Sequence, residues 1–191
     1  MIDRLGELGG AAPPAFWLAL LACLYFAVMA ARLTVIDVRH HLLPNRIIFP
    51  SYAVAGVLLL GSAAAQAAAV ESAGVPAEPA TAAGAAALFG VPGLRVLAGG
   101  AALWLFYFLL RAAYPPGMGF GDVKLAGVLG MYLGFLGWAH VFAGTFAAFL
   151  FGGLWGLALL VSRRGTLKSD IPFGPFMLAG ATAAMLLLPA G

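Results

Sequence analysis

Long apolar runs separated by short polar segments form the pattern of this chain. A run of about 20 apolar residues is long enough to cross a bilayer as an α-helix. The runs predict helices over residues 15–36, 47–70, 94–113 and 122–135, a fifth that ends near 162, and a last that opens at 171–175. This pattern predicts an all-α integral membrane protein, a bundle of about six transmembrane helices.

Composition supports one membrane-embedded unit. Hydrophobic residues make up 63% of the 191 residues and charged residues 9%, with a mean hydropathy of +1.02. Such a chain has no room for a separate soluble domain, so we expect a single domain over residues 1–191. Residues 71–92, rich in small residues, proline and glutamate, are predicted to form an extracytoplasmic loop. A signal peptide is the competing interpretation of the first run, but the segment before it is about neutral in charge.

The basic residues predict the orientation of the helices. They are scattered singly between apolar runs, which argues against nucleic acid as a partner. Cytoplasmic loops of membrane proteins carry an excess of Lys and Arg. If successive loops alternate sides, eight of the ten basic residues fall on one side: Arg32, Arg39, Arg46, Arg111, Lys124, Arg163, Arg164 and Lys168. We therefore predict that this side is cytoplasmic and that both termini lie outside.

The same alternation places three carboxyl groups, Asp37, Asp122 and Asp170, at the cytoplasmic side. A charged side chain within a bilayer costs roughly 2.5 kcal/mol or more, and is therefore a functional-site hypothesis by default. Asp37 follows the first apolar run and Asp122 precedes the fourth. Two carboxyls brought together in a low-dielectric cleft share one proton, and can act as general base and general acid on one water molecule. Asp37 and Asp122 are thus candidates for aspartic-protease chemistry.

A glycine-rich turn at 117–122 leads into the helix that begins at Asp122. We expect its glycines, Gly117, Gly119 and Gly121, to allow close backbone approach and a positive φ. The alternative is structural: a juxtamembrane Asp is often a solvated boundary residue, and a Gly-Asp pair before a helix is often a cap. Asn45 is a candidate N-cap of the second helix, and Asp170 of the last.

Metal and disulfide chemistry have little support in the sequence. The chain has one cysteine, Cys23, which excludes an internal disulfide and a cysteine-based zinc site. The adjacent His40 and His41 are expected to be solvated, since no matching Cys or His stands elsewhere. We expect neither a metal nor a cofactor.

Three segments carry a resemblance to a known family. Residues 119–125, GFGDVKL, resemble the G-x-G-D-x-K-L signature of the type IV prepilin peptidases, membrane aspartyl proteases of the GxGD class. Residues 37–46, DVRHHLLPNR, are similar to the family's first motif, in which an Asp and a basic residue precede an I/L-P-N turn. Residues 171–176, IPFGPF, resemble its third motif.

The resemblance implies Asp37 and Asp122 as the catalytic pair, with Gly119 and Gly121 shaping the turn. Its motifs also implicate supporting positions: Arg39, Pro44, Asn45, Lys124, Pro172, Gly174 and Pro175. The implied substrates are prepilin-like proteins whose short basic leader is cut in the cytoplasm, just before an apolar helix. The implied location is the cytoplasmic (inner) membrane, with the active site facing the cytoplasm.

The resemblance also bears on methylation. Long members of the family carry an N-terminal domain with paired Cys-x-x-Cys motifs, and they methylate the new N-terminus. This chain has residues 1–12 there and one cysteine, so it resembles the short, peptidase-only form associated with Flp/Tad-type pili, and we expect no N-methylation.

A presenilin-like protease and a proton-coupled transporter are the alternative functions. The oligomeric state is left open.

Overall fold

The computed structural model describes residues 1–40, 43–72, 91–162 and 172–189. Within these ranges the chain is helical and forms no strand. The helices are α1 (Ile2–Ala11), α2 (Pro13–His40), α3 (Asn45–Ser72), α4 (Pro92–Ala113), α5 (Phe120–Leu136), α6 (Trp138–Val161) and α7 (Gly174–Leu187), with a 3₁₀ turn at Pro115–Gly117.

Four of these helices, α2, α3, α4 and α6, are long and apolar enough to cross a membrane. The prediction of an all-α membrane protein is therefore confirmed. The number of crossings and the side on which the termini lie stay predictions. Most of the predicted loop at 71–92 falls outside the described residues, as do His41 and Asp170.

Two predicted helix boundaries were wrong in ways that affect the site. The first apolar run was expected to end at Ile36, but α2 continues to His40, so Asp37 belongs to its last turn. Asn45 does not cap the next helix. The Pro44 carbonyl accepts the first N–H groups, from Ile47 at 3.0 Å and Ile48 at 3.3 Å, which makes Pro44 the cap and Asn45 the first helical residue.

The α1 helix was not predicted, because its sequence is rich in glycine and charge. Its apolar positions nevertheless fall on one face, and Leu8 is buried together with Ala12, which follows the helix. The Arg4 guanidinium donates to the Gln66 side-chain oxygen at 2.7 Å, which joins this segment to the end of α3. Tertiary packing therefore stabilises a helix that composition disfavours.

The α5 helix lies at the centre of the bundle, and every residue from 125 to 136 is buried. It packs most closely on α4, where both helices carry glycine at the contact. A Cβ at Gly99 would lie 2.5 Å from the Gly130 carbonyl oxygen, and one at Gly134 would overlap the Arg95 carbonyl. Small residues at such a contact let two backbones approach closely, as is common between membrane helices. This contact fixes the height of α5 and therefore of Asp122.

The two ends of the bundle differ in character. One end, which we call the aspartate end, carries the C-terminal turn of α2 and the first turns of α5 and α7. The opposite end holds α1 and the buried His140, whose Nε2 lies 3.4 Å from the Leu188 carbonyl oxygen. The helix directions alone bring the three sequence motifs to the aspartate end.

Candidate active site

Asp37 lies in the last turn of α2 and is 5% exposed. The first residue of α7, Gly174, packs directly on its carboxyl group: a Cβ placed at Gly174 would lie 2.5 Å from Asp37 Oδ2. Glycine is therefore required here for space. The structure thus brings the first predicted motif into contact with the third.

Asp122 is the third residue of α5 and is 7% exposed. Gly119 is the N-cap, and its carbonyl accepts the Asp122 backbone N–H at 3.2 Å. The Gly119 backbone N–H in turn donates to the Asp122 carboxylate. This reciprocal pairing resembles a capping box, in which the third helical residue reaches back to the cap. It holds the carboxylate at the positive end of the helix dipole.

The expectation of positive φ in the glycine turn was wrong. Gly137 is the positive-φ glycine of the described ranges, and Gly119 has an extended conformation with φ −68°. The other part of the expectation, close approach, is confirmed at Gly121, where a Cβ would lie 2.7 Å from the Leu43 Cβ. The turn needs glycine because another segment packs against it, and such contacts are not visible in local sequence.

Leu43 connects the two halves of the site. Besides its contact with Gly121, its Cδ1 would lie 3.5 Å from a Cβ at Gly174. One side chain therefore touches the glycine beside Asp122 and the glycine that packs on Asp37. The two carboxyl groups are close enough to interact electrostatically. The structure thus brings together the pair that the sequence singled out, from positions 37 and 122.

The supporting positions Asn45 and Lys124 contact each other. Lys124 Nζ donates to Asn45 Oδ1 at 2.9 Å and lies over the rings of Phe49, at 5.1 Å, and Phe120, at 4.9 Å. The Tyr52 hydroxyl donates to the Lys124 carbonyl at 2.6 Å. These contacts hold the start of α3 against the start of α5. Lys124 therefore ties two motifs together, on the face of α5 away from Asp122.

The other supporting positions are Pro175, Pro172 and Arg39. Pro175 is in the first turn of α7, where an N–H would have no helical partner. Pro172, partly buried, precedes the Phe173 cap, whose carbonyl accepts N–H groups from Phe176 and Met177 at 3.0 and 3.1 Å. Arg39 is exposed. These residues shape or flank the segments that carry Asp37 and Gly174.

Sequence reasoning missed an aromatic cluster at this end. Tyr107 of α4 stacks on Phe149 of α6 with centroids 5.7 Å apart, and Phe149 lies 5.3 Å from Phe173. Tyr107 is 2% exposed and interacts electrostatically with Asp122. One signal was available, a phenol hydroxyl inside an apolar run, but nothing in the spacing linked it to the aspartates.

Comparison with known proteins finds a family model that covers the first two motifs. The model of the type IV leader peptidase family matches residues 21–157, which include both aspartates and the glycine turn. Among curated proteins, the prepilin leader peptidase/N-methyltransferase of Bacillus subtilis is 37% identical over 90 residues, 47% of this chain and 35% of that protein. That of Aeromonas salmonicida is 31% identical over 94 residues, 49% of this chain and 31% of that protein.

The segments that match this chain cover about a third of the length of these curated relatives. No solved structure matches the chain significantly. The family model alone, however, spans well over half of the sequence. On that basis, and with its motifs gathered at one end of the bundle, the chain belongs to the type IV leader peptidase family.

Proposed function

We propose that this protein is an aspartic endopeptidase that removes the short basic leader from type IV prepilin-like precursors. The observation that carries the proposal is the pair of buried carboxyl groups, Asp37 and Asp122, which lie at one end of the bundle and interact electrostatically. The family membership supports the substrate class, and the relatives are named prepilin leader peptidase/N-methyltransferase.

The proposed chemistry follows from two carboxyl groups that share one proton. The ionised group takes a proton from water as the water oxygen attacks the scissile carbonyl carbon. The protonated group gives its proton to the carbonyl oxygen. When the tetrahedral intermediate collapses, the C–N bond breaks and a proton passes to the leaving amine. One Asp acts as base and the other as acid, and neither forms a bond to the substrate.

The proposed location is the cytoplasmic membrane, with the aspartate end at the cytoplasmic face. The excess of basic residues on that side supports it. A basic leader retained in the cytoplasm would then reach the carboxyl pair, while the apolar helix that follows it stays in the bilayer. We confine the proposal to leader removal. The relatives' names add N-methyltransferase, but this sequence holds a single cysteine rather than paired Cys-x-x-Cys motifs.

The test is co-expression with a prepilin-like substrate in a host that lacks leader peptidase activity. Leader removal is followed by gel shift, and the new N-terminus is identified by mass spectrometry. We expect cleavage by the wild type, and a loss of about 100-fold or more in both Asp37→Asn and Asp122→Asn, as is usual when an acid or base is removed. The control is Glu7→Gln, an exposed carboxyl of α1 at the opposite end of the bundle.

The outcomes separate the alternatives. Cleavage that persists in both Asp variants rules out the aspartic mechanism. Cleavage within the apolar helix rather than at the leader boundary indicates a presenilin-like protease. A mature N-terminus heavier by one methyl group, found only when this protein is present, would mean that methylation is also its activity.

A further inference from the structure

Arg111 lies in the last turn of α4, and its partly buried side chain reaches forward to the turn that precedes α5. Its Nη1 donates to the Met118 carbonyl oxygen at 3.2 Å. The guanidinium carbon also lies 5.2 Å from the centre of the Phe120 ring, within the range of a cation–π contact. Met118 and Phe120 flank Gly119, the N-cap of α5. Arg111 therefore holds the turn on both sides of this cap.

The segment that Arg111 holds is also the one that binds Asp122. The Met118 carbonyl and the Gly119 N–H belong to one peptide group, and that N–H donates to the Asp122 carboxylate. A Cβ at Gly119 would lie 3.4 Å from Asp122 Oδ2, which places this oxygen beside the same residue. The Gly119 carbonyl in turn accepts the Asp122 backbone N–H at 3.2 Å. Because the C=O and N–H of a trans peptide point in opposite directions, the guanidinium and the carboxylate lie on opposite sides of one planar group.

A structural role alone is the simpler explanation of an arginine at this position. The helix dipole favours a cation in the last turn of a helix, and that effect needs no partner outside α4. Arg111, however, bonds to a carbonyl seven residues further along the chain. Other cations at this end are placed differently: Lys124 bonds to Asn45 on the other face of α5, and Arg39 and Arg46 are exposed. The contact of Arg111 with the turn is thus specific to its place in the fold.

We propose that Arg111 is a positioning residue, which fixes the Met118–Gly119 segment so that its hydrogen bonds set the direction of the Asp122 carboxylate. A hydrogen bond donated by a guanidinium is charge-assisted and stronger than one between neutral groups. Hydrogen bonds in series polarise and strengthen one another. The proposal rests on the proposed function, because it gives Arg111 a part in the geometry of the same carboxyl pair. It adds a residue from α4 to a site whose motifs come from α2, α5 and α7.

The test compares Arg111→Met with Arg32→Met. Each change removes one positive charge, and Arg32, an exposed residue of α2, is the matched control. We expect Arg111→Met to lower kcat for leader removal about tenfold, since hydrogen bonds to charged groups contribute free energies of that order. KM should stay unchanged, because the substrate does not contact Arg111. The melting temperature should fall by only a few degrees. Arg32→Met should keep the kcat of the wild type.

The conservative change Arg111→Lys is the second variant. Lysine keeps the charge at this end and can donate to the Met118 carbonyl, so the protein should fold even if Arg111→Met does not. It lacks the planar group that covers Phe120, and its kcat should therefore be about threefold below that of the wild type. A kcat equal to that of the wild type in either variant overturns the role of Arg111. So does an Arg111→Lys kcat no higher than that of Arg111→Met.

A further measurement needs no activity. Hydrogen exchange, followed by mass spectrometry of peptides that cover residues 118–125, reports how firmly the turn holds its N–H groups. Both Arg111 variants should raise the exchange of this segment, whereas Arg32→Met should leave it unchanged. Unchanged exchange in the Arg111 variants overturns the proposal, even if the wild type cleaves prepilin. Raised exchange confined to this segment, in a protein that cleaves nothing, supports the contact and rejects the proposed function instead.

Discussion

Gly174 lies against the carboxyl group of Asp37, so close that a Cβ at this position would stand 2.5 Å from Oδ2. The contact joins the first residue of α7 to the last turn of α2. The carboxylate can lie this close because Gly174 has no side chain. The third motif supplies neither an acid nor a base. Its Gly174 nevertheless affects where the carboxyl group of Asp37 lies.

We predict that Gly174→Ala impairs catalysis more than folding. The atom that must move is the end of the Asp37 side chain, which rotates at little cost, so the melting temperature should change by only a few degrees. A carboxylate displaced by about 1 Å, however, can cost about 100-fold in rate. The control is Gly153→Ala in α6, where an added Cβ meets nothing within 4 Å. Loss of folding in Gly174→Ala alone would contradict this account.

We predict the reverse for Gly130→Ala, which should impair folding first. Its Cβ would overlap the Gly99 carbonyl, and backbone cannot rotate away as a side chain can. Separating α4 from α5 should cost about 3 kcal/mol or more, at the upper end for overpacked sites. Thermal unfolding in detergent measures the effect, with Gly10→Ala as the control because its added Cβ is also unobstructed. A melting temperature equal to that of the wild type would contradict this prediction, because it would show that α4 and α5 can move apart at no cost in free energy.

We predict a measurable coupling between Asn45 and Lys124. The single changes Asn45→Ala and Lys124→Ala each break the 2.9 Å hydrogen bond, and the double change breaks it only once. The coupling in a double-mutant cycle should be about 0.5–1 kcal/mol, since the bond is charge-assisted but exposed. Asn45→Ala with Ser72→Ala, at the other end of α3, should show additive effects. Additivity in the first cycle would mean that the contact contributes nothing.

We predict opposite labelling at the two ends of the bundle. In a Cys23→Ala background, Glu7→Cys and Arg46→Cys each place one thiol at an exposed position. A membrane-impermeant maleimide added to intact cells should label Glu7→Cys and spare Arg46→Cys until the cells are opened. The reverse pattern would put the aspartate end outside, where a basic cytoplasmic leader cannot reach it.

The sequence predicted the described helices well where each is long and apolar. The boundaries of α3, α4 and α5 fall within two residues of those expected, because burial in lipid or protein requires a continuous apolar run. It failed for α1, whose glycines and charges lower its helix propensity, and whose stability comes from packing on α2. For the glycine turn it predicted the close approach correctly and the positive φ wrongly, because a need for space and a need for positive φ look alike in sequence.

What the sequence alone determined is the class of protein and the identity of the candidate aspartates. A carboxyl at the edge of an apolar run costs enough free energy to stand out without any knowledge of the fold. What only the tertiary structure decided is which groups surround them: Gly174 on Asp37, Leu43 on Gly121, and Asn45 on Lys124. Each of these pairs joins segments that are far apart in the sequence, and their packing depends on side-chain shapes that the local pattern does not encode.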